Sequence, residues 1–222
     1  MEYLINNTSN LNCGFALVAD DIFNASIQTN TILCDLPSTI YRSLDFKTIS
    51  SIVGAVFCDT IANLLENAIV NPIEKGHPDI IPIAAENCTE EQLRNYPEGL
   101  EVKCTVGNIR AGAGLRAGQT RIDDLTGITW QAHHREVESL LGLIWDFIES
   151  GKSFKFPTIT GAFFTDELSE QDWGEISGTT GRNTKVTGMR TSGKQKMGEG
   201  WIVLLDDEMY LDKYTKNLKF II

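Results

Sequence analysis

The chain has 222 residues, 42% of them hydrophobic and 22% charged, which excludes a disordered or fibrous protein and holds one domain with its own core. A formal net charge of −11 excludes a generic polyanion binder that is basic all over. The N-terminus lacks the basic-then-apolar layout of a signal peptide, and Asp59, Asn63 and Glu66 interrupt the most apolar stretch, 49–70. An intracellular, cytoplasmic protein without a membrane span is therefore expected.

Residues 1–46 are mixed in character, and 15–19 fits either a helix start or a short strand. Ile49, Ile52, Val53, Val56, Phe57, Leu64 and Ala68 recur at helical spacing, so a long helix is predicted over 47–69, ended by Asn71-Pro72. Gly76-His77-Pro78 reads as a turn, followed by a strand over 79–84 that Pro82 confines to an edge. Thr89 and Gln92 match a capping box and predict a helical turn over 90–95. Pro97-Glu98-Gly99 turns the chain into a strand over 100–105. Its alternation puts Leu100, Val102 and Cys104 on one face and Glu101, Lys103 and Thr105 on the other.

A Gly- and Arg-rich loop follows over 107–118. The stripe Val137, Leu140, Leu141, Ile144, Phe147 and Ile148 predicts a second helix over 131–150, stopped by Gly151. Strands are predicted over 158–165 and 201–205, with hairpins or a long loop between them. This order describes an α/β domain, a mixed β-sheet flanked by helices, in a single unit over 1–222. The five cysteines, at 13, 34, 58, 88 and 104, include no Cys-x-x-Cys pair. They are read as reduced, mostly buried thiols rather than zinc ligands or disulfides.

The charge is uneven. Residues 103–121 carry Lys103, Arg110, Arg116 and Arg121 with no acid, and 176–198 carry Arg182, Lys185, Arg190, Lys194 and Lys196 with no acid. Two basic segments on an acidic body suit a protein that grips a polyanion along one face.

The chemistry concentrates at Asp79, Glu101 and Lys103. Strand alternation sets Glu101 and Lys103 on one face, and an Asp at the start of a neighbouring strand reaches the same face. Carboxylate oxygens suit Mg²⁺, which polarises a phosphoryl oxygen and acidifies a bound water. A nearby ammonium orients that water or neutralises charge building on phosphorus.

Pro78-Asp79 followed by Glu101-Val102-Lys103 on a hydrophobic strand resembles the PD-(D/E)XK nuclease superfamily, and the chain size with its variable Gly/Arg segments looks most like a type II restriction endonuclease. The resemblance covers about 47–150. It implies a restriction-endonuclease-like core over about 47–165, with DNA-recognition segments over about 106–130 and 176–200. Asp79 and Glu101 would bind Mg²⁺, Lys103 would be the catalytic lysine, and the Val102 carbonyl would complete the metal shell. A carboxylate from the preceding helix would be Glu66, with Asp59 as its rival. Cleavage would hydrolyse double-stranded DNA at a specific short sequence and leave 5′-phosphates. A palindromic site would need a homodimer, and a cognate DNA methyltransferase would belong to the same system.

Gln131, His133 and His134 open the second predicted helix, where free N–H groups favour phosphate. Gln131 resembles a glutamine that related nucleases hold near the active site, although Arg135 stands where a tyrosine usually follows. Arg110, Arg116 and Arg121 are candidate phosphate or base contacts. So are Arg182, Asn183, Lys185, Arg190, Lys194, Gln195 and Lys196, since Arg or Lys pairs with guanine and Asn or Gln with adenine. The alternatives are a repair or junction-resolving nuclease of the same superfamily, which cuts by structure, and a DNA-binding module on an inactive core.

Overall fold

A computed structural model describes residues 1–8, 11–74, 76–131, 134, 135, 137, 139–177 and 185–222. In chain order the elements are β1 (Tyr3–Ile5), α1 (Ala19–Asp35), α2 (Ser38–Ser43), α3 (Phe46–Leu64), β2 (Ala68–Val70), β3 (Ile80–Pro82), α4 (Glu90–Arg94), β4 (Glu101–Thr105), β5 (Asn108–Ile109), β6 (Leu125–Gly127), β7 (Trp130–Gln131), β8 (Leu140–Ile148), β9 (Phe156–Thr165), β10 (Val186–Thr187), α5 (Thr191–Glu199), β11 (Trp201–Leu205) and α6 (Glu208–Leu218). The expected mixed sheet flanked by helices is present: five strands in the order β1-β11-β9-β8-β4. The β4–β8 pair is parallel, and the β8–β9, β9–β11 and β11–β1 pairs are antiparallel. β4 is thus an edge strand.

Two apolar layers cover the sheet. On one face Leu141, Leu143, Trp145 and Phe147 of β8 pack with Ile22 and Leu33 of α1 and with Ile49, Val53, Phe57 and Ile61 of α3. On the other, Leu140 and Ile144 of β8 pack with Phe163, Met197 of α5, and Tyr210, Tyr214 and Leu218 of α6. β8 therefore alternates, but with apolar residues on both sides, the pattern of a strand buried between helix layers. Gly142 is the gap in its second face. A Cβ there would lie 2.8 Å from the Trp130 ring, closer than a Cβ can sit.

This overturns the helix predicted over 131–150. The spacing of its apolar residues also satisfies a helical stripe, but every residue from Leu140 to Phe147 is buried, and a helix of that sequence would leave Gly142 and Asp146 without the packing they have here. Three other boundaries move. The long helix ends at Leu64, and 68–70 instead pairs with β3 as a two-stranded ribbon. The expected strand over 79–84 shortens to Ile80–Pro82 and enters a 3-10 turn at Ile83. The supposed loop before β11 contains α5. Three more helices went unpredicted, α1, α2 and α6.

α3 begins where Asp45 accepts the Thr48 amide at 2.7 Å, an N-cap. The Trp145 indole N–H donates to Ser50 at 2.8 Å and ties α3 to β8. The capping box at Thr89 forms as predicted, with the Gln92 side chain accepting from the Thr89 amide at 2.9 Å. Cys13, Cys58 and Cys104 are buried thiols, and Cys34 and Cys88 are partly so. Among the described residues, no helix is long and apolar enough to cross a membrane.

Candidate active site

One cleft of about 1050 Å³ opens between α3, the β2–β3 ribbon and the free edge of β4. Asp79, Glu101, Val102 and Lys103 all line it. The ribbon brings Asp79 there through the backbone. Ile80 and Leu100 exchange two hydrogen bonds, at 3.1 and 2.8 Å, which joins the ribbon to the start of β4. Asn71 clamps the turn before Asp79. Its amide N–H donates to the Asp79 carbonyl at 2.8 Å, and its side chain donates to the carbonyls of Pro78 and Leu93 at 3.1 and 2.9 Å.

Asp79 Oδ2 accepts the Val102 amide at 2.8 Å. In a strand, the N–H and C=O of one residue point to the same side. The Val102 carbonyl therefore also faces the open edge of β4, the side on which Asp79 sits. Glu101 is 2% exposed. His77 Nδ1 lies 3.3 Å from its Oε2, and His134 Nε2 lies 3.9 Å from its Oε1. The Gln131 amide donates to His134 Nδ1 at 3.1 Å, so a neutral His134 carries its proton on Nε2, towards Glu101. His77 is held in turn by its backbone, which bonds to the Arg94 carbonyl and the Tyr96 amide.

Burial, reinforced by the negative charge of Asp79, pushes the Glu101 carboxyl up to about 7, with His77 opposing the rise. Burial also raises Asp79, against the Val102 amide that favours its charged form. Burial lowers Lys103, and the charge of Lys47 acts in the same direction, while Asp79 and Glu101 favour its ammonium form. The group of two carboxylates and one ammonium is thus electrostatically frustrated, the state in which functional sites keep their titratable groups.

No known family, curated protein or solved structure matches this chain. The site therefore rests on its own geometry.

The remaining predicted residues divide. Glu66 lies beyond the end of α3, exposed and outside the cleft. The helix that was to carry it stops two residues earlier because Leu65 caps it and the chain turns into β2. Its rival Asp59 is on α3 and lines the cleft. Gln131 and His134 also line the cleft, but from β7 and the turn after it. Gln131 is in a strand and not at the start of the predicted helix, and His134 is buried against Glu101 instead of reaching out. Arg121 lines the cleft, whereas Arg110 is exposed and paired with Asp124 and Arg116 is exposed outside it. In the second basic segment, Val186 lines the cleft and Lys185 is exposed beside it, because β10 pairs with β7. Arg190 is the N-cap residue of α5, and Lys194 and Gln195 are on that helix. Lys196 is turned inward, its ammonium 2.8 Å from Asp172 and 2.7 Å from the Glu167 carbonyl, so it braces α5 and is not available to a groove. Arg182, Asn183 and His133 lie outside the described residues.

The sequence reading missed His77, Asn71 and Lys47. Only His77 carried a local signal, since it directly precedes Pro78-Asp79. Lys47 was read as a helix start, and nothing in its neighbourhood pointed to a cleft.

Proposed function

We propose that the chain is a metal-dependent endodeoxyribonuclease of the restriction type, with a restriction-endonuclease-like core. The observation that carries this reading is the convergence of Asp79, Glu101 and Lys103 on one cleft at the open edge of β4.

The donor chemistry fits a small hard cation. Two carboxylates share the cleft, each raises the cost of charging the other, and the Val102 carbonyl faces the same edge. Among the described residues, no group of three or more His, Cys, Asp and Glu side chains is placed to hold a metal. Mg²⁺ needs only one or two carboxylates because it keeps several waters. Asp79, Glu101 and the Val102 carbonyl would hold the ion. When bound, it supplies a polarised phosphoryl oxygen and an acidified water. Lys103, partly desolvated, orients the attacking water and offsets the negative charge that builds on phosphorus. His77 and His134 fix the Glu101 carboxylate from both sides, as partners of metal-binding carboxylates do.

A single active site cuts one strand. Cutting both strands of a palindromic sequence calls for a two-fold homodimer, and a DNA methyltransferase encoded beside the enzyme belongs with the restriction reading. The test is plasmid digestion with Mg²⁺, with EDTA, and with Asp79→Ala. Discrete bands that need Mg²⁺ and vanish in the variant support the proposal. Cleavage confined to branched or damaged DNA moves it to a repair nuclease, and full activity in Asp79→Ala removes that residue from the mechanism.

A further inference from the structure

Charged side chains stand at more than one place in the cleft. Asp79 and Glu101 sit beside the ribbon, and the far end is lined by Lys47, Phe46, Gly107 and Arg121. β4 spans about 13 Å between Glu101 and Thr105 at strand rise, and Gly107 lies beyond its end. Arg121 therefore does not belong to the reacting centre.

Arg121 is an unusual arginine. It is 7% exposed, yet its guanidinium forms no ion pair with a carboxylate among the described residues. Nη2 donates to the Gly107 carbonyl at 3.2 Å, Cζ lies 4.4 Å from the centre of the Phe46 ring, and Nε is buried with no hydrogen-bond partner. The Asp146 and Asp124 carboxylates favour its charged form against burial, but a buried polar atom left unsatisfied in a cleft calls for a ligand. The backbone at 121 is fixed with matching care. Asp146, 3% exposed, accepts the Arg121 amide with both carboxylate oxygens at 2.9 Å and the Ile122 amide at 3.0 Å. Lys47, next to Phe46 at the start of α3, is close enough to act on the charge of Lys103. A guanidinium fork stacked on a ring at the wall of a cleft is suited to a tetrahedral oxyanion.

We propose that the Arg121 end of the cleft is an anion subsite that holds a non-reacting phosphate of the bound strand, with Asp146 as the positioning residue for Arg121. The identity of that phosphate rests on the nuclease reading. The subsite itself does not. It would seat the strand so that a different phosphate, further along, lies between Asp79, Glu101 and Lys103.

Two measurements on the full chain test this. In ³¹P NMR, wild-type protein is expected to broaden and shift the line of inorganic phosphate, R121Q to do neither, and R121K to give a partial effect. In EDTA, with a labelled 20-bp duplex titrated across KCl concentrations, R121Q should bind about ten-fold more weakly, with a salt slope smaller by about 0.9, one phosphate contact. Where R121Q does not fold, F46L serves instead and should weaken phosphate binding about three-fold. An unchanged phosphate line with wild-type protein overturns the subsite, as does an R121Q protein that matches wild type in either measurement. Phosphate binding that depends on Arg121 alongside an intact plasmid sinks the nuclease reading and leaves the subsite standing.

Discussion

Two buried acidic centres in this molecule look alike in composition and differ in what surrounds them. Asp146 lies inside the sheet, and its carboxylate accepts the amides of Arg121, Ile122 and Phe147 and the Tyr210 hydroxyl. Asp79 and Glu101 are buried at an open edge, where Asp79 receives the Val102 amide and Glu101 faces two imidazoles across a cleft. Burial raises the carboxyls of all three. The difference teaches how to read a buried acid: one enclosed on all sides by the fold's own donors holds that fold together, and one at the wall of a cleft is placed to meet a ligand.

The sharpest way to break this comparison is to neutralise one member of each centre. Glu101→Gln should lower Mg²⁺-dependent plasmid cleavage by about 10³-fold or more. It should also raise the melting temperature of the metal-free protein at pH 8, because a destabilising buried charge is gone. Asp146→Ala should do the opposite. It strands several buried donors and should cost on the order of 3 kcal/mol, a fall in Tm of roughly 10 °C in thermal denaturation. A stable Asp146→Ala protein would mean that enclosure by the fold's own donors does not mark a structural acid here.

A pH series sharpens the contrast. The Glu101 carboxyl in the folded chain titrates at about 7, above the ordinary value of 4.5. Between those values the folded state holds a proton that the unfolded state has lost, so stability is greatest below about 4.5 and falls as pH rises through 7. Asp79, also raised, adds to the same trend. The metal-free protein should therefore lose on the order of 5 °C in Tm across this window from the cleft acids, and Glu101→Gln should flatten most of that slope. The smallest effect concerns the imidazoles. His77→Ala should reduce cleavage about 10-fold and raise the Mg²⁺ concentration needed for half-maximal activity, since it loosens the Glu101 carboxylate without removing it. An unchanged Mg²⁺ requirement would show that His77 does not orient the carboxylate.

What could be read from the sequence depended on how many faces of an element are buried. β4 and β11 were legible, β9 nearly so, and so were the start of α3 and the capping box of α4, because each has local punctuation or a clear pattern. β8 was misread because both of its faces are apolar, Leu141 to Phe147 towards α3 and Leu140 with Ile144 towards α6. Alternation between core and solvent, the usual sign of a strand, is absent there. α1 was missed for the converse reason. Its buried face includes Ser26, Thr29 and Asn30, so its apolar stripe is broken; Asn30 instead accepts the Ile159 amide at 2.7 Å. That Glu101 and Lys103 line one cleft follows from the spacing of a local strand, whereas Asp79 joins them only through the Ile80–Leu100 bridge. The placing of Asn71 and Lys47 in the cleft, and of His134 against Glu101, was not legible, since tertiary packing brings them to β4. The basic segments misled most. Lysines such as Lys196 were counted as groove contacts, yet a positive charge in the sequence does not reveal whether it faces outward or is already neutralised by an internal acid.

The position of β4 at the sheet edge has one more consequence. An unpaired strand edge is a template for strand addition from another molecule. Here the Ile80 bridge occupies Leu100 and the Asp79 carboxylate covers the Val102 amide. The Asp79 side chain therefore also blocks intermolecular β-pairing, and truncating it uncovers the Val102 amide and should favour self-association, visible as light scattering at concentrations where the parent protein stays clear.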